Sequence, residues 1–439
     1  MRKDRLNGLF RGHVRNHLSP TAGEREFVAS VYESVQAVLG AGNSLQIGSY
    51  PRFTAITPLH DLDVLYLLGR WDPLRHDPAQ ALEQLERRLL REYKNPTHYR
   101  VEISRQTHSV TIKYLAGADE VFAVDVVPAY LNGTNEFGED TYVVPEIAAK
   151  SSTDRRKLRQ SIARGEREMA WIASDPRGYI AVAARLNRTN DDFRKAVKFT
   201  KGWRTSCKTT DPDFPLKSFH LEQAITRWMS ENPDAEIFDA VFEFFCALPD
   251  FIRYPQFQDR ADSNRNIDDY VAYLSETDRQ KVIEARDGFL IKLENLEDGD
   301  DTASLLAVSK RKRRSPTEAY LFDSRIPVLT EHEFSIIAEA QARDGGFRRF
   351  ILDRIGLIQV DREIRFRLAP GAPIADVYKW KVKNDDDSPK PRGEITDHGT
   401  LQDPECTQYN GSHFVECFAI HNAVCIGRSK QNVVLKSQW

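Results

Sequence analysis

The segment Leu45–Leu68, LQIGSYPRFTAITPLHDLDVLYLL, decides the fold of the N-terminal part of this chain. It predicts a short strand that ends in Gly48 and Ser49, a connection, and a second strand that begins near Asp61. Because side chains alternate faces along a strand, Asp61 and Asp63 point to the same side. Two carboxylates about 5 Å apart repel each other by roughly 3 kcal/mol at an effective dielectric constant near 20. The pair therefore favours a site at which a cation lies between the two groups.

A third carboxylate lies in the segment Val121–Tyr130, VFAVDVVPAY, where Asp125 has apolar neighbours on both sides. Such a Val-rich apolar run is typical of a central, buried strand. An isolated buried carboxylate is costly unless it is paired or binds a metal. Three carboxylates on adjacent strands would supply hard oxygen ligands, which suit Mg²⁺ or Mn²⁺. The alternative is that each Asp forms a salt bridge or caps a turn, as is usual for a D-x-D pair that stands alone.

Gly48 and Ser49 indicate a phosphate-binding element near these carboxylates. Glycine allows the backbone to approach a ligand closely, and Ser49 offers a hydroxyl group and an N–H to phosphate oxygens. By itself a Gly-Ser pair is most simply a turn. The order of the elements places a phosphate cradle beside a metal site. A strand ends in Gly-Ser, a connection leads to the strand with D-x-D, and a later strand carries one Asp.

Elements on either side of this segment predict an α/β layer over residues 1–150. Thr21–Leu39 has apolar residues at helical spacing, and Thr21 with Glu24 fits a capping box. The other predicted elements are a helix near 78–93 and strands near 99–103, 108–115 and 120–130. From about residue 154 to 296 the pattern is helical. The tail from about 324 to 439 is mostly β, with one helix predicted near 331–342.

The composition describes a protein with packed cores and a balanced charge. The chain has 439 residues, which suggests two or three domains, and a formal net charge of -3. This balance argues against a protein that coats nucleic acid through bulk positive potential, although a local basic groove is still compatible with it. No window resembles a membrane span of about 20 apolar residues. The basic N-terminus lacks the apolar core of a signal peptide, so a cytoplasmic protein without a membrane partner is expected.

The five cysteines are expected to be reduced thiols, because their number is odd and no C-x-x-C pair occurs. The alternative, a structural zinc held by two of the last three cysteines, lacks zinc-finger spacing.

The helical region contains a cationic helix face followed by a serine at a predicted helix start. Lys198 and Lys201 lie three residues apart and share a face. In isolation this pattern is a solvated basic face with Trp203 in the core. His220 is expected to be a packing or capping residue. Residues 253–270 form a polar, irregular stretch, within which Tyr254 and Phe257 fit a core role better than base stacking.

The stretch from Leu45 to Leu65 resembles the Gly-Ser and D-x-D signature of the polymerase-beta-like nucleotidyltransferases. With Arg52, Thr54 and the strand that leads into DLDVL, the stretch resembles the bacterial cGAS/DncV-like nucleotidyltransferases. The resemblance implies that two Mg²⁺ ions, or Mn²⁺ as the alternative, are held by Asp61, Asp63 and Asp125, which would be both the metal-binding and the catalytic residues. It further implies nucleotide binding by the following residues: Gly48, Ser49, Arg52, Thr54, Lys198, Lys201, Lys217 and Ser218.

Two of these residues belong to a second motif in the helical region. The sequence K-x-W at Lys201, followed by LKSFHLE from Leu216, resembles the helical lobe of the same family. By that resemblance Lys201 and Ser218 hold the triphosphate of the donor nucleotide, and Lys198 and Lys217 are secondary candidates. The implied fold is α+β, with a polymerase-beta-like core in 1–150, a helical lobe in 151–298, a linker in 299–323 and a small β-rich domain in 324–439.

The tail resembles the AGS-C sensor domain that accompanies some bacterial signalling nucleotidyltransferases. The resemblance implies a sensor for an unidentified activator. The matching residues are Trp380, Lys381, Asn384, Arg392, Gly393, Glu394, Tyr409, Gly411, His413, Glu416 and Asn422. For His413 with Glu416 and Cys417 the alternatives are a metal site and a hydrogen-bonded strand pair, of which the strand pair is favoured. The cluster KRKRRS at 310–315 either contacts phosphates of a nucleic acid or is a solvated linker.

Taken together, the resemblances imply an enzyme of anti-phage (CBASS) signalling. Nucleoside triphosphates, ATP and GTP by preference, would be converted into a cyclic di- or trinucleotide and pyrophosphate, and the product would act on a downstream effector. Cyclic GMP-AMP is the expected product. One alternative is a linear oligoadenylate synthase or nucleotide-adding enzyme, and another is an inactive nucleotide-binding sensor.

Overall fold

The computed structural model describes residues 2–147, 168–297, 299–308, 314–341, 346–349, 358–397, 400 and 403–436. The chain divides into two compact units, one formed by Gly8–Ile283 and the other by Met1–Asn7 with Glu284–Trp439. Within the described ranges, no helix combines the length and the apolar character that a bilayer crossing requires.

The first unit contains a mixed seven-stranded sheet. Its central path runs β1-β2-β5-β4-β3, while β6 pairs with β5 and β7 pairs with β6. Strands β2 and β5 are parallel, and the other neighbours are antiparallel. The prediction that the VFAVDVV run is a central strand is confirmed, because β5 lies between β2 and β4. The strands are β1 Ser44–Ile47, β2 Asp61–Arg70, β3 Arg100–Arg105, β4 Val110–Ala116, β5 Asp119–Thr134, β6 Asp140–Ile147 and β7 Met169–Ser174.

Helices cover this sheet through apolar faces. These are α2, Ala22–Leu39, and α3, Pro78–Glu92, whereas α1, Arg2–His13, precedes them in the chain. The predicted capping box at the start of α2 is present: the Thr21 side chain accepts the backbone N–H of Glu24, and the Glu24 carboxylate accepts that of Thr21. The buried cluster beneath α2 and α3 joins Val residues of α2 and Leu residues of α3 to the apolar face of β4 and β5. It fixes the sheet from which the candidate site projects.

The second half of the first unit is largely helical, as expected from the sequence. The helices are α4 Pro176–Thr189, α5 Phe193–Thr210, α6 Ser218–Glu231 and α7 Ile237–Phe251; α8 Glu276–Glu294 begins in the first unit and ends in the second, to which the short α9 Thr302–Leu306 belongs. Trp203 of α5 is buried and packs edge-on against Phe245 and Phe214, with ring centroids 4.8 and 5.7 Å apart. Its predicted core position is therefore confirmed.

The purely helical pattern predicted from residue 154 onward is wrong for β7. Met169–Ser174 extends the sheet by antiparallel pairing with β6. This pairing depends on a partner strand more than 20 residues away in the chain, whereas the helical pattern was recognised from local spacing.

The C-terminal unit contains two sheets of short strands. One has the order β10-β9-β12-β15, and the other has the order β11-β17-β16-β13-β14 with β8 added on β17. Their facing apolar residues form one buried cluster, in which Phe366 and Ile336 of the first sheet meet Val415 and Val433 of the second. The strands are β8 Val328–His332, β9 Ile336–Gln341, β10 Phe347–Arg349, β11 Ile358–Gln359, β12 Glu363–Leu368, β13 Val377–Lys383, β14 Arg392–Thr396, β15 Glu405–Cys406, β16 Gly411–His421 and β17 Val424–Lys436.

The helix predicted near 331–342 is wrong, because this segment forms the end of β8 and the whole of β9. Ile336 and Ala338 of β9 are buried against the β12 partners Leu368 and Phe366. A short apolar run fits either period, and here the neighbouring strand supplies the backbone hydrogen bonds that decide between them.

Candidate active site

The parallel pair β2–β5 brings the three predicted carboxylates to one face of the sheet. Asp63 is in register with Asp125, and Asp61 is in register with Ala123. Residues that are directly paired on neighbouring strands project to the same side, and the strands lie about 4.8 Å apart. Since Asp61 and Asp63 are two positions apart on β2, all three carboxylates share that side.

Asp125 is oriented by hydroxyl groups on the neighbouring strand β4. Its Oδ1 accepts a hydrogen bond from Thr111 Oγ1, which lies directly opposite, and another from Ser109 Oγ at 3.3 Å. Both hydroxyl residues are buried. The sequence analysis missed them, although the alternation Ser109-Val110-Thr111-Ile112 in an otherwise apolar strand would have indicated a polar face.

Gly48 allows the turn after β1 to lie directly against the second carboxylate. A Cβ atom at this position would be 1.9 Å from Asp63 Oδ2, and the backbone φ of 76° lies in the left-handed region. Only glycine fits both conditions. The turn is closed by Thr54, whose backbone N–H donates to the Ser49 carbonyl oxygen at 3.0 Å. The predicted phosphate cradle is thus adjacent to the carboxylate face.

The charge around Asp61 is a balance of opposing effects. The surrounding protein raises the pKa of its carboxyl group, Lys201 opposes that rise, and Asp125 adds to it. Arg204 of α5 also stabilises the ionised form. Among the described residues, no three His, Cys, Asp or Glu side chains already stand as a complete set of metal ligands. The three carboxylates offer oxygen ligands, and the glycine turn leaves room beside them, so the site fits a divalent cation.

Beside this face lies a buried ionic cluster, here called the Glu222 cluster, formed by Glu222, Lys201, Arg52 and Thr54. Lys201 Nζ is 2.6 Å from Glu222 Oε2, and Arg52 Nε is 2.6 Å from Glu222 Oε1. Thr54 Oγ1 donates to Glu222 Oε2 at 2.9 Å. Burial acts to raise the pKa of Glu222, whose side chain is 1% exposed, but the two cations outweigh it and hold the pKa well below its usual range.

Three predicted nucleotide ligands, Arg52, Thr54 and Lys201, are therefore bound to one carboxylate inside the protein. Their contact with a nucleotide stays a prediction. The sequence analysis missed Glu222 as their partner, although it belongs to the LKSFHLE motif quoted for its lysine and serine.

The remaining predicted ligands lie apart from the Glu222 cluster. Ser218 is the first residue of α6 and is half-buried. The exposed Lys217 places its ammonium group 4.5 Å from the centre of the Tyr270 ring. Lys198 is one helical turn before Lys201, and its Nζ lies 3.5 Å from Ser19 Oγ. His220 is buried, and burial lowers its pKa to about 3, so the ring is neutral and suits packing.

A cavity of about 520 Å³ adjoins the Glu222 cluster, because Glu222 is part of its wall. The cavity lies between α4, α6 and the polar loop after α7. Phe257 of that loop is buried beneath the Arg227 guanidinium group, whose Cζ is 4.1 Å from the ring centre. The other lining residues are Tyr179, Val182, Ala183, Gln223, Thr226, Gln256, Gln258, Arg260 and Asn266.

In the C-terminal unit, the residues that suggested a metal are engaged in other bonds. His413 Nδ1 accepts the backbone N–H of Asp385 at 3.2 Å, and its Nε2 lies 3.0 Å from the Tyr409 carbonyl oxygen. Glu416 accepts a hydrogen bond from Arg428 Nε at 3.1 Å. This arrangement agrees with the hydrogen-bonded alternative.

The basic cluster at 310–315 lies outside the described residues except for its last two positions. Arg314 is paired with Asp323 and lies 3.5 Å from Asp287.

Comparison with known proteins gives one domain match and several more distant similarities. Residues 315–436 match the Adenylyl/Guanylyl and SMODS C-terminal sensor domain, AGS_C. The chain is 26% identical over 204 residues to the cyclic AMP-AMP-AMP synthase of Escherichia coli (strain MS 115-1). That match covers 46% of this chain, and it spans about half, 54%, of the length of the relative.

Two solved structures have a related arrangement of the chain. One is E. coli MS115-1 CdnC in complex with HORMA-deltaN, at 16% identity and a TM-score of 0.48, covering 69% of this chain and 94% of the other. The second is Vibrio cholerae DncV cyclic AMP-GMP synthase with a linear intermediate, at 14% identity and a TM-score of 0.40, covering 60% and 66%.

The fold is α+β: a mixed sheet with three carboxylates on one face, a largely helical region and a β-rich C-terminal unit. The AGS_C match over residues 315–436 and the similarity to the E. coli synthase agree with the resemblance to cGAS/DncV-like nucleotidyltransferases that the sequence suggests.

Proposed function

We propose that this chain is a metal-dependent nucleotidyltransferase that joins nucleoside triphosphates into a cyclic oligonucleotide and releases pyrophosphate. The observation that carries the proposal is the register of β2 and β5, which sets Asp63 beside Asp125 with Asp61 on the same face. The E. coli relative, named a cyclic AMP-AMP-AMP synthase, supports the same chemistry.

Asp61, Asp63 and Asp125 would hold the divalent cations, with Mg²⁺ the expected ion and Mn²⁺ the alternative. The bound cations would neutralise phosphate charge and make the attacking ribose hydroxyl group more acidic. Asp125, held by the Thr111 hydroxyl group, orients that hydroxyl group and accepts its proton. The hydroxyl oxygen bonds to the α-phosphorus, the bond to the bridging oxygen breaks, and pyrophosphate leaves with that electron pair.

The turn at Gly48 and Ser49 binds the phosphates through backbone N–H groups and the serine hydroxyl. Lys201 and Ser218 complete the triphosphate site. For Lys201 this contact requires that part of its bonding to Glu222 be exchanged for phosphate oxygens, which a charge-assisted hydrogen bond makes favourable. Catalysis then rests mostly on positioning and charge neutralisation.

The cavity beside Glu222 accepts a nucleobase or ribose. Its wall offers the amide groups of Gln223, Gln258 and Asn266, which can donate and accept hydrogen bonds, and the ring of Tyr179. Its volume of about 520 Å³ lies in the range of sites for small ligands. This is the part of the 253–270 stretch through which we expect nucleotide contact.

The product identity is a finer proposal. ATP and GTP are the proposed substrates, and cyclic GMP-AMP is the expected product, while a cyclic triadenylate is the product named for the E. coli relative. A role in anti-phage signalling, an effector that binds the product, and an activator that binds the AGS-C domain complete the proposal. A linear synthase and an inactive nucleotide-binding sensor are the competing functions.

The test incubates the pure full-length chain with labelled nucleoside triphosphates and Mg²⁺, and resolves the products before and after phosphatase. A cyclic product has no terminal phosphate and stays unchanged, whereas a linear product shifts. The Asp61→Asn, Asp63→Asn double variant should make no product. Asp119→Asn is the matched control, since Asp119 is an exposed carboxylate at the start of β5.

Absence of pyrophosphate from the wild-type chain with any mixture of triphosphates and either metal would favour the inactive sensor. Equal product from the double variant and the control would refute the assignment of the carboxylates.

A further inference from the structure

Helix α5 carries four cations whose spacing places them along one side of the helix: Arg194, Lys198, Lys201 and Arg204. Their partners differ. Lys201 is paired with Glu222, and Arg204 donates to the Leu216 carbonyl oxygen. Within the part of the chain that the structure describes, Arg194 and Lys198 form no ion pair with a carboxylate.

The two cations without an acidic partner border a turn and a loop of the same unit. Lys198 Nζ lies 3.5 Å from Ser19 Oγ. Arg25 donates a hydrogen bond to the carbonyl oxygen of Pro20, the residue that follows Ser19. Arg25 likewise has no ion pair with a carboxylate among the described residues. Lys198 and Arg25 therefore bind adjacent residues of one turn, and their like charges are held close together.

Arg194 lies over an exposed aromatic ring. Its Cζ is 4.6 Å from the centre of the Phe53 ring, and Phe53 is 63% exposed with a backbone φ of 59° in the left-handed region. A large exposed aromatic residue in a strained conformation is a common sign of a binding loop. We call Arg25, Arg194, Lys198 and Phe53 the Phe53 site.

The electrostatics of the Phe53 site are unbalanced. Arg194 Nε is buried without a hydrogen-bond partner. The pKa of Lys198 is lowered to about 8, mainly by burial and in part by the like charges of Arg194, Lys201 and Arg25. Arg194 and Lys198 are half-buried, and Arg25 is exposed. A buried donor without a partner and a group of like charges both favour the arrival of an anion with several acceptor oxygens.

We propose that the Phe53 site binds a free nucleotide, with its phosphate on Arg25, Arg194 and Lys198 and its base stacked on Phe53. Phe53 belongs to the turn that follows the phosphate cradle at Gly48, and its ring is exposed. Along α5, Lys198 lies about 4.5 Å before Lys201 and about 9 Å before Arg204, the two cations that act on Asp61. A free nucleotide fits better than a nucleic-acid strand, because three cations match one phosphate group and the formal net charge of the chain is -3.

The experiment measures binding of AMP to the full-length chain in EDTA, by calorimetry. AMP lacks the triphosphate, and EDTA removes the divalent cations on which the carboxylate face depends. Wild type is expected to bind, and Lys198→Met and Arg194→Gln to bind about tenfold more weakly or less. Lys195→Met is the matched control, because Lys195 lies on the same helix but is paired with Asp192. Equal affinity of Lys198→Met and Lys195→Met for AMP would overturn the proposal.

Two further measurements separate the roles and the source of the phosphate. Phe53→Leu should weaken AMP binding but leave inorganic phosphate binding unchanged, because only the base uses the ring. Equal AMP affinity in Phe53→Leu and wild type would refute base stacking. A 5′-phosphorylated single-stranded oligonucleotide is the third probe. If it bound and AMP did not, the free-nucleotide assignment would fail.

Thermal unfolding guards against a folding artefact. Lys198→Met removes a cation that repels its neighbours, so its melting temperature should rise or stay level. Lys195→Met loses an ion pair, so its melting temperature should not rise. A clear fall for Lys198→Met alone would show that Lys198 is a structural residue and would count against the site. These outcomes do not depend on the proposed synthase activity, since an inactive chain would still bind AMP at the Phe53 site.

Discussion

Acidic residues play opposite roles in the β2–β5 face of the first unit and in the β13–β16–β17 region of the second. On the β2–β5 face, Asp61 and Asp125 lie on neighbouring strands, and Asp125 accepts hydrogen bonds from two neutral hydroxyl groups. In the second unit, the buried acid Glu416 faces Arg428, and Glu318 is 3.0 Å from Lys381. The comparison teaches that acidic side chains clustered on one face indicate a ligand site, whereas acids that are each paired with a cation stabilise the fold.

The largest expected effect is on activity at the β2–β5 face. Asp125→Asn should reduce product formation by about 10³-fold or more, because it removes a proposed metal ligand and proton acceptor. Thermal stability should not fall, since the change removes negative charge that the protein does not compensate. Product chromatography and a thermal melt measure the two properties. A variant that lost stability but kept its activity would reverse the assignment of this face.

Glu222 lies close to the site but is paired with cations, so a substitution there tests whether this acid stabilises the fold. Glu222→Gln leaves Lys201 and Arg52 buried beside a neutral group, so the first unit should lose about 3 kcal/mol or more of stability. Hydrogen exchange of α6 amides measures the loss. Glu231→Gln, exposed at the end of the same helix, is the control and should change nothing.

The same residue predicts an acid limit for stability. Because the folded-state pKa of Glu222 is lowered, its contribution is fully present above the pKa of an unfolded glutamate, about 4.3, and is lost as the pH falls below it. A first unit whose stability did not change between pH 5 and pH 3 relative to Glu222→Gln would contradict the ionised cluster.

The Glu416–Arg428 pair should give a smaller effect. A double-mutant cycle with Glu416→Gln and Arg428→Met should show a coupling of about 1 to 2 kcal/mol, because the glutamate is buried while the arginine is partly exposed. The pair Lys379–Asp397, also in the C-terminal sheet, is exposed and should couple by less than about 0.5 kcal/mol. Exchange rates of β16 amides report both values. Equal coupling of the two pairs would remove the distinction drawn between buried and exposed acids.

A further prediction concerns a buried acid in the second unit that is less completely compensated. Burial raises the pKa of Glu294 to about 7, with Arg428 and Lys381 opposing the rise and Glu416 adding to it. A raised folded-state pKa means that the folded unit holds a proton which the unfolded chain releases. Its stability should therefore decline as the pH rises from about 4.5 through 7.

Glu294→Gln should flatten this pH dependence, as seen in β17 amide exchange between pH 5 and pH 8. An unchanged slope in the variant would assign the dependence to another group.

The sequence predicted the features that depend on local pattern. The capping box at Thr21 and the buried strand around Asp125 were both recognisable, because a capping box spans four residues and an apolar run with one carboxylate is unusual. The common face of Asp61 and Asp63 followed from strand alternation alone. Gly48 followed from the need for close approach, and the structure supplies the distance that explains it.

Features that depend on distant partners could not be predicted. Strand β7 exists because β6 offers a free edge, and β9 is a strand because β12 lies beside it. Glu222 lies 170 positions from Arg52 in the chain, so no local pattern links the two. For the same reason, the local sequence predicted a packing role for His220 but not its neutral state. The grouping of residues in the Phe53 site could not be predicted from the sequence.

The parallel register of β2 and β5 also fixes the position of Asp125 along its strand relative to Asp63. Inserting or deleting one residue ahead of Asp125 in β5 would turn its carboxylate to the opposite side of the sheet, and a two-residue slip would carry it about 6.6 Å along the strand. The valines and alanine that flank it would tolerate the second slip with little loss of packing. Small length changes in this strand are therefore the mutations most able to leave a folded protein whose acidic residues no longer meet.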